Sequence, residues 1–212
     1  MATKHHVTAN EYNKQANSYE AKWEAYLAHT HQKMVDALEL EPSSKVCDVS
    51  CGTGLFTYKL FQKQLNLELL QLNDISQEML SYAKERFSKT DTITFTNFPA
   101  HEIDQSATPF DALISLNAFH NYDQQKKSIE ACYNSLKPNG EIYILDWNRS
   151  GLFRIMNFWI RLFVKERIDT RTLSEMEKLL EDAKFSIKHT EEWSWRYWKF
   201  FLIVGEKSGD EA

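Results

Sequence analysis

The chain has 212 residues, 25 Lys and Arg against 30 Asp and Glu for a net charge of −5, with 42% hydrophobic and 26% charged residues. Such usage supports a packed globular core in one elaborated domain and excludes a chain disordered throughout. Mild acidity without a basic stripe argues against a nucleic-acid partner.

The N-terminal residues Met1–Val7 carry no apolar leader, and no stretch reaches the roughly 18 apolar residues of a membrane span, so a soluble protein is expected. From about Thr8 to Leu40, apolar residues recur at helical spacing (Tyr12, Ala16, Tyr19, Trp23, Tyr26) without Gly or Pro, which predicts an N-terminal helical segment. Lys45–Ser50 reads as a short buried strand that enters the turn Cys51-Gly52-Thr53-Gly54 and a helix from Leu55. The second cycle is a strand Leu67–Leu72, a turn through Asp74, and a helix Gln77–Phe87 with Ser76 as N-cap. Further strands are expected at Ile93–Phe95, at Asp111–Leu116 before a helix Gln124–Leu136, and at Glu141–Trp147 after the breaker Lys137-Pro-Asn-Gly140. Two helical stretches follow, Gly151–Arg167 and Leu173–Ala183, the second with a capping-box arrangement at Ser174–Glu177. Phe185–His189 and Trp195–Val204 then form an antiparallel pair, because too few residues separate them for a crossover helix. The sum is an α/β three-layer sandwich with a mostly parallel sheet. Residues from about Lys207 onward read as a frayed tail.

The three cysteines Cys47, Cys51 and Cys132 show neither CxxC nor Cys/His ligand spacing, so no disulfide framework and no metal site is expected, and a reducing, cytoplasmic compartment fits best. In an open α/β sheet, ligands lie outside the carboxyl ends of the strands. The first such turn is Asp48-Val-Ser-Cys-Gly-Thr-Gly54, where glycines admit a ligand against the backbone and the following helix offers free N–H groups. Twenty residues beyond Gly54, Asp74 ends the second strand, where a carboxylate accepts from both hydroxyls of a ribose. Together these favour a nucleoside ligand over a bare βα turn. A dinucleotide fingerprint wants a third glycine where Thr57 stands, and no P-loop pattern occurs.

These segments resemble the class I S-adenosylmethionine-dependent methyltransferases. Val46-Cys-Asp-Val-Ser-Cys-Gly-Thr-Gly54 is similar to their first motif, Asn73–Leu80 to the second-strand motif, Phe110–Asn121 to the fourth-strand segment, and Leu136-Lys-Pro-Asn-Gly-Glu-Ile-Tyr-Ile-Leu-Asp146 to the turn and fifth strand of the small-molecule, quinone-methyltransferase-like branch. The resemblance runs from about residue 9 to residue 206. It implies a Rossmann-like, seven-stranded sheet with an antiparallel last strand, divided into an N-terminal helical lid (1–42), a cofactor-binding core (43–147), a helical substrate-side insertion (148–184) and C-terminal strands (185–206). It also implies S-adenosyl-L-methionine as cofactor. On that reading Asp48 orients the glycine turn, Ser50, Cys51, Gly52 and Gly54 cradle the methionine moiety, Asp74 and Ile75 bracket ribose and adenine, and Met79 packs under the ring. Asn117 contacts the methionyl end, and Tyr19 closes over the cofactor with Glu20 where Asp is usual. Two positions depart from the family pattern. Ser50 replaces the usual first glycine and adds a hydroxyl for the cofactor carboxylate, and Pro99 stands where relatives carry an Asp, leaving the Ala100 N–H to meet the adenine ring.

Methyl transfer needs a nucleophile aligned with the methyl group and, where the acceptor carries a proton, a base. The candidate bases are His120, Tyr122 and Asp146, with His120 first because an imidazole works near neutral pH; helix capping is its bland alternative, and Asp146 equally reads as a structural acceptor. Five of the six Trp lie after residue 146, and Trp147–Lys165 is apolar on much of its circumference. Tyr122, Trp147, Phe158 and Trp159 are therefore expected at a small, apolar or aromatic acceptor. A lid stripe packed on the core is the competing reading of that segment, and the acceptor reading admits a peripheral membrane contact through Arg154, Arg161 and Lys165. A non-catalytic S-adenosylmethionine-binding or interaction protein is the alternative from another class, and an NAD-dependent enzyme a third. The sequence leaves the acceptor atom open, and monomer and homodimer alike.

Overall fold

The computed structural model describes residues 4–63, 66–88, 90, 92–106, 108–151 and 168–209, with side chains from residue 9. In chain order the elements are α1 (Lys4–Gln15), a 3-10 turn (Ala16–Ser18), α2 (Tyr19–Ala37), β1 (Lys45–Asp48), α3 (Leu55–Gln62), β2 (Leu69–Asn73), α4 (Gln77–Arg86), β3 (Ile93–Thr96), β4 (Phe110–Leu116), α5 (Gln125–Ser135), β5 (Leu136–Trp147), α6 (Leu173–Asp182), β6 (Phe185–Trp195) and β7 (Trp198–Lys207). The helix expected over Gly151–Arg167 lies, past Gly151, outside the described residues. No described helix is long and apolar enough to cross a membrane.

One seven-stranded sheet runs β3-β2-β1-β4-β5-β7-β6. Pairs from β3 to β5 are parallel, whereas β7 lies antiparallel to both neighbours, from Glu141↔Glu206 to Trp147↔Phe200 against β5. Six strands thus share one direction and the last opposes them, as the sequence predicts. The parallel crossovers put α3, α4 and α5 on the sheet faces, while β3 connects to β4 through a 3-10 turn (Ala100–Gln105). Alternation along the strands divides the core in two. Val46, Ile114, Tyr143, Leu145, Phe200 and Leu202 face α2, α3 and α4, while Cys47, Leu113, Ile142, Ile144, Phe201 and Ile203 face α5 and α6. This two-sided burial explains why the central strands read as continuous apolar runs.

Three details differ from expectation. Lys137–Gly140 does not separate helix from strand: β5 begins at Leu136, pairs with Phe110, and absorbs the irregularity as a register shift with Asn139 at φ +62°. The capping box belongs to Thr172 and Glu175, not to Ser174, because Thr172 Oγ1 accepts from the Glu175 N–H and Glu175 accepts from the Thr172 N–H in return. The final hairpin is longer, with only Arg196 and Tyr197 between Trp195 and Trp198.

Gly54 caps α3 at φ +73°, and a Cβ there would sit 3.1 Å from Phe87 and 3.2 Å from Ala83 of the neighbouring α4 segment. Left-handed backbone and overpacking act together at this position. Gly54→Ala should therefore lower the unfolding free energy by roughly 2–3 kcal/mol, measured by urea denaturation. An unchanged midpoint would show that the turn relaxes freely.

Candidate functional site

The carboxyl ends of β1, β2 and β4 converge where α1 and α2 cross them, and one carboxylate ties two of these ends together. Asp74 accepts from the Gly52 N–H at Oδ2 (2.8 Å) and from the Ser76 N–H at Oδ1 (2.8 Å), linking the first turn to the second. Asp48 does the same within the first turn, accepting from the Ser50 N–H (3.3 Å) and the Thr57 hydroxyl (2.8 Å). The dinucleotide glycine is thus replaced by a residue that braces the turn. Ser76 caps α4 by accepting from the Met79 N–H, and its hydroxyl reaches Asn13 Oδ1 of α1 at 2.5 Å.

Three contiguous cavities surround these turns. The first is lined by Gly52, Asp74, Ile75, Met79, Phe98, Ala100 and Tyr122. The second lies beneath α2 against His31, Asp48, Cys51, Gly52 and Thr53. The third, of about 340 Å³, is walled by Trp23, Tyr26, His120, Trp147 and Trp198, with Lys22 and Gln15 also on its lining. Tyr19 and Asn117 line all three, so the cavities meet there. An added Cβ at Gly52, which sits at φ +54°, would meet nothing within 4 Å: the backbone is bare toward the cleft.

The wall of the third cavity is a stack of rings. The His120 ring lies parallel to Trp147 at 4.1 Å, and Trp147 stacks on Trp198 at 4.8 Å, with Trp23 and Tyr26 edge-on to Trp198. Asp146 receives three hydrogen bonds: from the Trp147 N–H and His120 Nδ1 at Oδ1 (2.7 and 2.6 Å), and from the His120 N–H at Oδ2 (2.7 Å). A carboxylate only accepts, so the imidazole proton resides on Nδ1 and Nε2 is left as an acceptor, met by Asn121 Nδ2 at 3.1 Å. Asn121 also donates to the Tyr12 hydroxyl at 2.9 Å.

Most expected residues assemble here: Tyr19, Ser50, Gly52, Asp74, Ile75, Met79, Ala100 and Asn117 in the first cavity, Asp48 and Cys51 in the second, His120 and Trp147 in the third, with Asp146 bonded to His120. Four placements add to the sequence reading. Tyr122 faces the first cavity rather than the third, and its hydroxyl bonds Ser50 and Ser115 at 2.9 Å each. The Ser50 hydroxyl is accordingly engaged by protein. The Asn117 amide accepts from Tyr26 and donates to Thr30, both at 2.8 Å, so this side chain anchors α2. Gly54 packs against α4 instead of opening to the cleft. Phe158 and Trp159 lie outside the described residues.

Sequence reasoning missed Trp23, Tyr26, Thr30 and His31 as site residues, although Tyr19, Trp23, Tyr26 and Thr30 follow one another at helical offsets on one face of α2. It also missed a clamp in which Glu20 accepts from Arg86 and from the Thr53 hydroxyl (2.6 Å), while Arg86 Nε donates to the Thr53 carbonyl (3.1 Å). That clamp joins α2, the glycine turn and α4.

Burial pushes the Asp48 carboxyl up to about 7 and that of Asp74 up to about 6, against the hydrogen bonds that lower both. Since folding raises these values, their stabilisation is complete below about pH 4 and is lost as pH rises through the folded-state values. Relative to Asp48→Asn, the ligand-free wild type should lose stability between about pH 4 and about pH 7, followed as the difference in Tm; a constant difference would mean that Asp48 holds its proton equally in both states.

Comparison with known proteins adds to this geometry. A family model described as a methyltransferase domain matches residues 40–199. A ubiquinone/menaquinone biosynthesis C-methyltransferase of Agrobacterium fabrum is 26% identical over 160 residues, covering 70% of this chain and 62% of the relative; the chain thus spans less than two thirds of that relative's length. Among solved structures, the magnesium protoporphyrin IX methyltransferase of Synechocystis with bound S-adenosylhomocysteine superposes with a TM-score of 0.75 at 18% identity, covering 97% of this chain and 100% of that one. A Haloferax volcanii protein solved with the Trm112 methyltransferase activator gives 0.79 at 16% identity, covering 93% and 98%. These likenesses show that the fold is shared.

Proposed function

With this chain a member of the class I S-adenosylmethionine-dependent methyltransferases, we propose that it moves a methyl group from S-adenosylmethionine to a small, apolar or aromatic acceptor held in the Trp-walled cavity. The observation that carries this reading is the meeting of all three cavities at Tyr19 and Asn117. A nucleoside site and an acceptor site joined at one point are what an in-line displacement requires.

The residues present suit the cofactor. Each Asp74 oxygen accepts one backbone N–H and retains capacity for a ribose hydroxyl. Ile75, Met79 and Phe98 supply an apolar slot for the adenine, with Ala100 opening a 3-10 turn whose first N–H groups lack partners within the turn. The bare backbone at Gly52 leaves room for the linker beyond the ribose. When bound, S-adenosylmethionine supplies an electrophilic methyl group on sulfur.

The chain's own part is alignment and proton handling. Trp147, Trp198 and Trp23 hold a flat or apolar acceptor and exclude water. His120, held by Asp146 in the Nδ1–H form, takes a proton at Nε2 from an acceptor hydroxyl or amine that replaces the Asn121 amide. Asp146 steadies the imidazolium that results. The division into a lid (1–42), core (43–147), substrate-side insertion (148–184) and C-terminal strands (185–206) belongs to the same proposal, with Phe158 and Trp159 in the insertion. The likeness to a C-methyltransferase of ubiquinone/menaquinone biosynthesis makes quinone-type rings the first acceptors to screen.

Calorimetric titration of S-adenosylhomocysteine into the wild type and Asp74→Ala, with NAD as control, tests the cofactor site: binding should occur in the wild type and fall at least about tenfold in the variant. NAD binding without S-adenosylhomocysteine binding would overturn the reading. In a radiolabelled methyl-transfer screen on proton-bearing acceptors, His120→Ala should lower kcat by roughly 100-fold or more while S-adenosylhomocysteine affinity stays within about threefold. An unchanged rate would remove His120 from the mechanism.

A further inference from the structure

One buried polar atom in the site has nothing to bond. His31 of α2 is 4% exposed, and its Nδ1 finds no hydrogen-bond partner. The three other such atoms, on Asn148, Ser150 and Thr170, lie on residues close in sequence to the undescribed 152–167; His31 is set among described ones. Buried polar atoms are nearly always paired, so an orphan of this kind in a folded site marks a place where a ligand completes the bonding.

The location says which ligand. The bond from Tyr26 to Asn117 and the bond from Asn117 to Thr30 hold the rotation of α2, and this turns the next residue, His31, onto the wall of the second cavity, edge-on to Phe56 at 5.5 Å. The same cavity is walled by Asp48, Ser50 and Gly52, and Ile75 and Met79, which line the first cavity, are not on its lining. A molecule with its ribose on Asp74 and its sulfur near the junction at Tyr19 and Asn117 has its remaining arm, the amino-acid portion, directed there. Burial and the Lys59 charge push the His31 imidazole down to about 3, so the ring is neutral and offers a lone pair or a single N–H.

Resting on the cofactor reading above, we infer that His31 Nδ1 hydrogen-bonds the amino-acid head group of S-adenosylmethionine, so that α2 recognises the cofactor as well as covering it. His31 acts in binding and touches neither the methyl group nor the acceptor. The contact accounts for a polar side chain between Leu27 and Met34 on the buried stripe of α2.

The test pairs two ligands that differ only at that arm. S-adenosylhomocysteine and 5′-methylthioadenosine are titrated calorimetrically into the wild type, His31→Ala and His31→Asn, with thermal melts as a control for folding. His31→Ala should weaken S-adenosylhomocysteine by about tenfold or more and 5′-methylthioadenosine by less than about twofold. His31→Asn, whose amide reaches the position of Nδ1, should recover most of the loss. Equal weakening of both ligands, or none, would overturn the inference while leaving the cofactor site standing. A wild type that binds neither ligand would overturn the cofactor reading itself, and this inference with it.

Discussion

The placement of α2 on the sheet decides the geometry of the cavities around it, and a side-chain amide at the end of β4 is central to that placement. Asn117 follows β4 at φ +56°, a backbone state that suits Asn better than most residues, and projects its amide between the hydroxyls of Tyr26 and Thr30. Both bonds are buried, so loss of either partner would strand a polar group away from water. Trp147 adds to the same knot by donating its indole N–H to the Tyr26 hydroxyl at 2.7 Å. Farther along α2, His29 stacks flat on Trp195 at 4.8 Å and accepts from the Trp193 indole, which fastens the helix to the β6–β7 hairpin. Because Tyr19, Trp23, Tyr26 and His31 all ride on this one helix, its rotation shapes each of the three cavities.

Charge is arranged differently at the two ends of the site. Beside the glycine turn two carboxyl groups, Asp48 and Asp74, are buried, and each is held by backbone or hydroxyl donors. Such bonds lower the two pKa values by less than burial raises them. At the third cavity, Asp146 accepts from the His120 ring and backbone and from the Trp147 N–H, and much of the wall is aromatic. Lys22, on the lining of this cavity, lies over the Trp23 ring at 5.2 Å.

Much of this was legible from residue order because the signals are local. The strand-turn-helix at Val46–Gly54, the Asp just after β2 and the apolar alternation of Glu141–Trp147 within β5 each depend on short-range chemistry: left-handed glycines, N-caps and two-residue alternation. What escaped was long-range. The Asn117 amide serves Tyr26 and Thr30, 91 and 87 residues away, and the Tyr122 hydroxyl serves Ser50, 72 residues away. Spacing along a strand places such residues at the site but leaves open whether they face ligand or protein. The α2 stripe was read as packing for the same reason: its helical offsets identify a buried face, and only the sheet beneath it reveals that part of this face covers a cleft.

The two glycines of the first turn, one residue apart, both adopt positive φ yet stand in opposite surroundings. Gly54 is pressed against Phe87 and Ala83, while Gly52 has open space where a side chain would be. Gly54 therefore answers to folding, since any larger residue disturbs the seat of α4 whether or not a ligand is ever bound. Gly52 answers to folding only through its backbone angle, which Asn or Asp tolerates at small cost, and to ligand volume for the rest. In a lineage that kept the fold but abandoned the cofactor, selection would hold position 54 and release position 52, so the identity of that one residue across descendants is a record of whether the cleft is still in use.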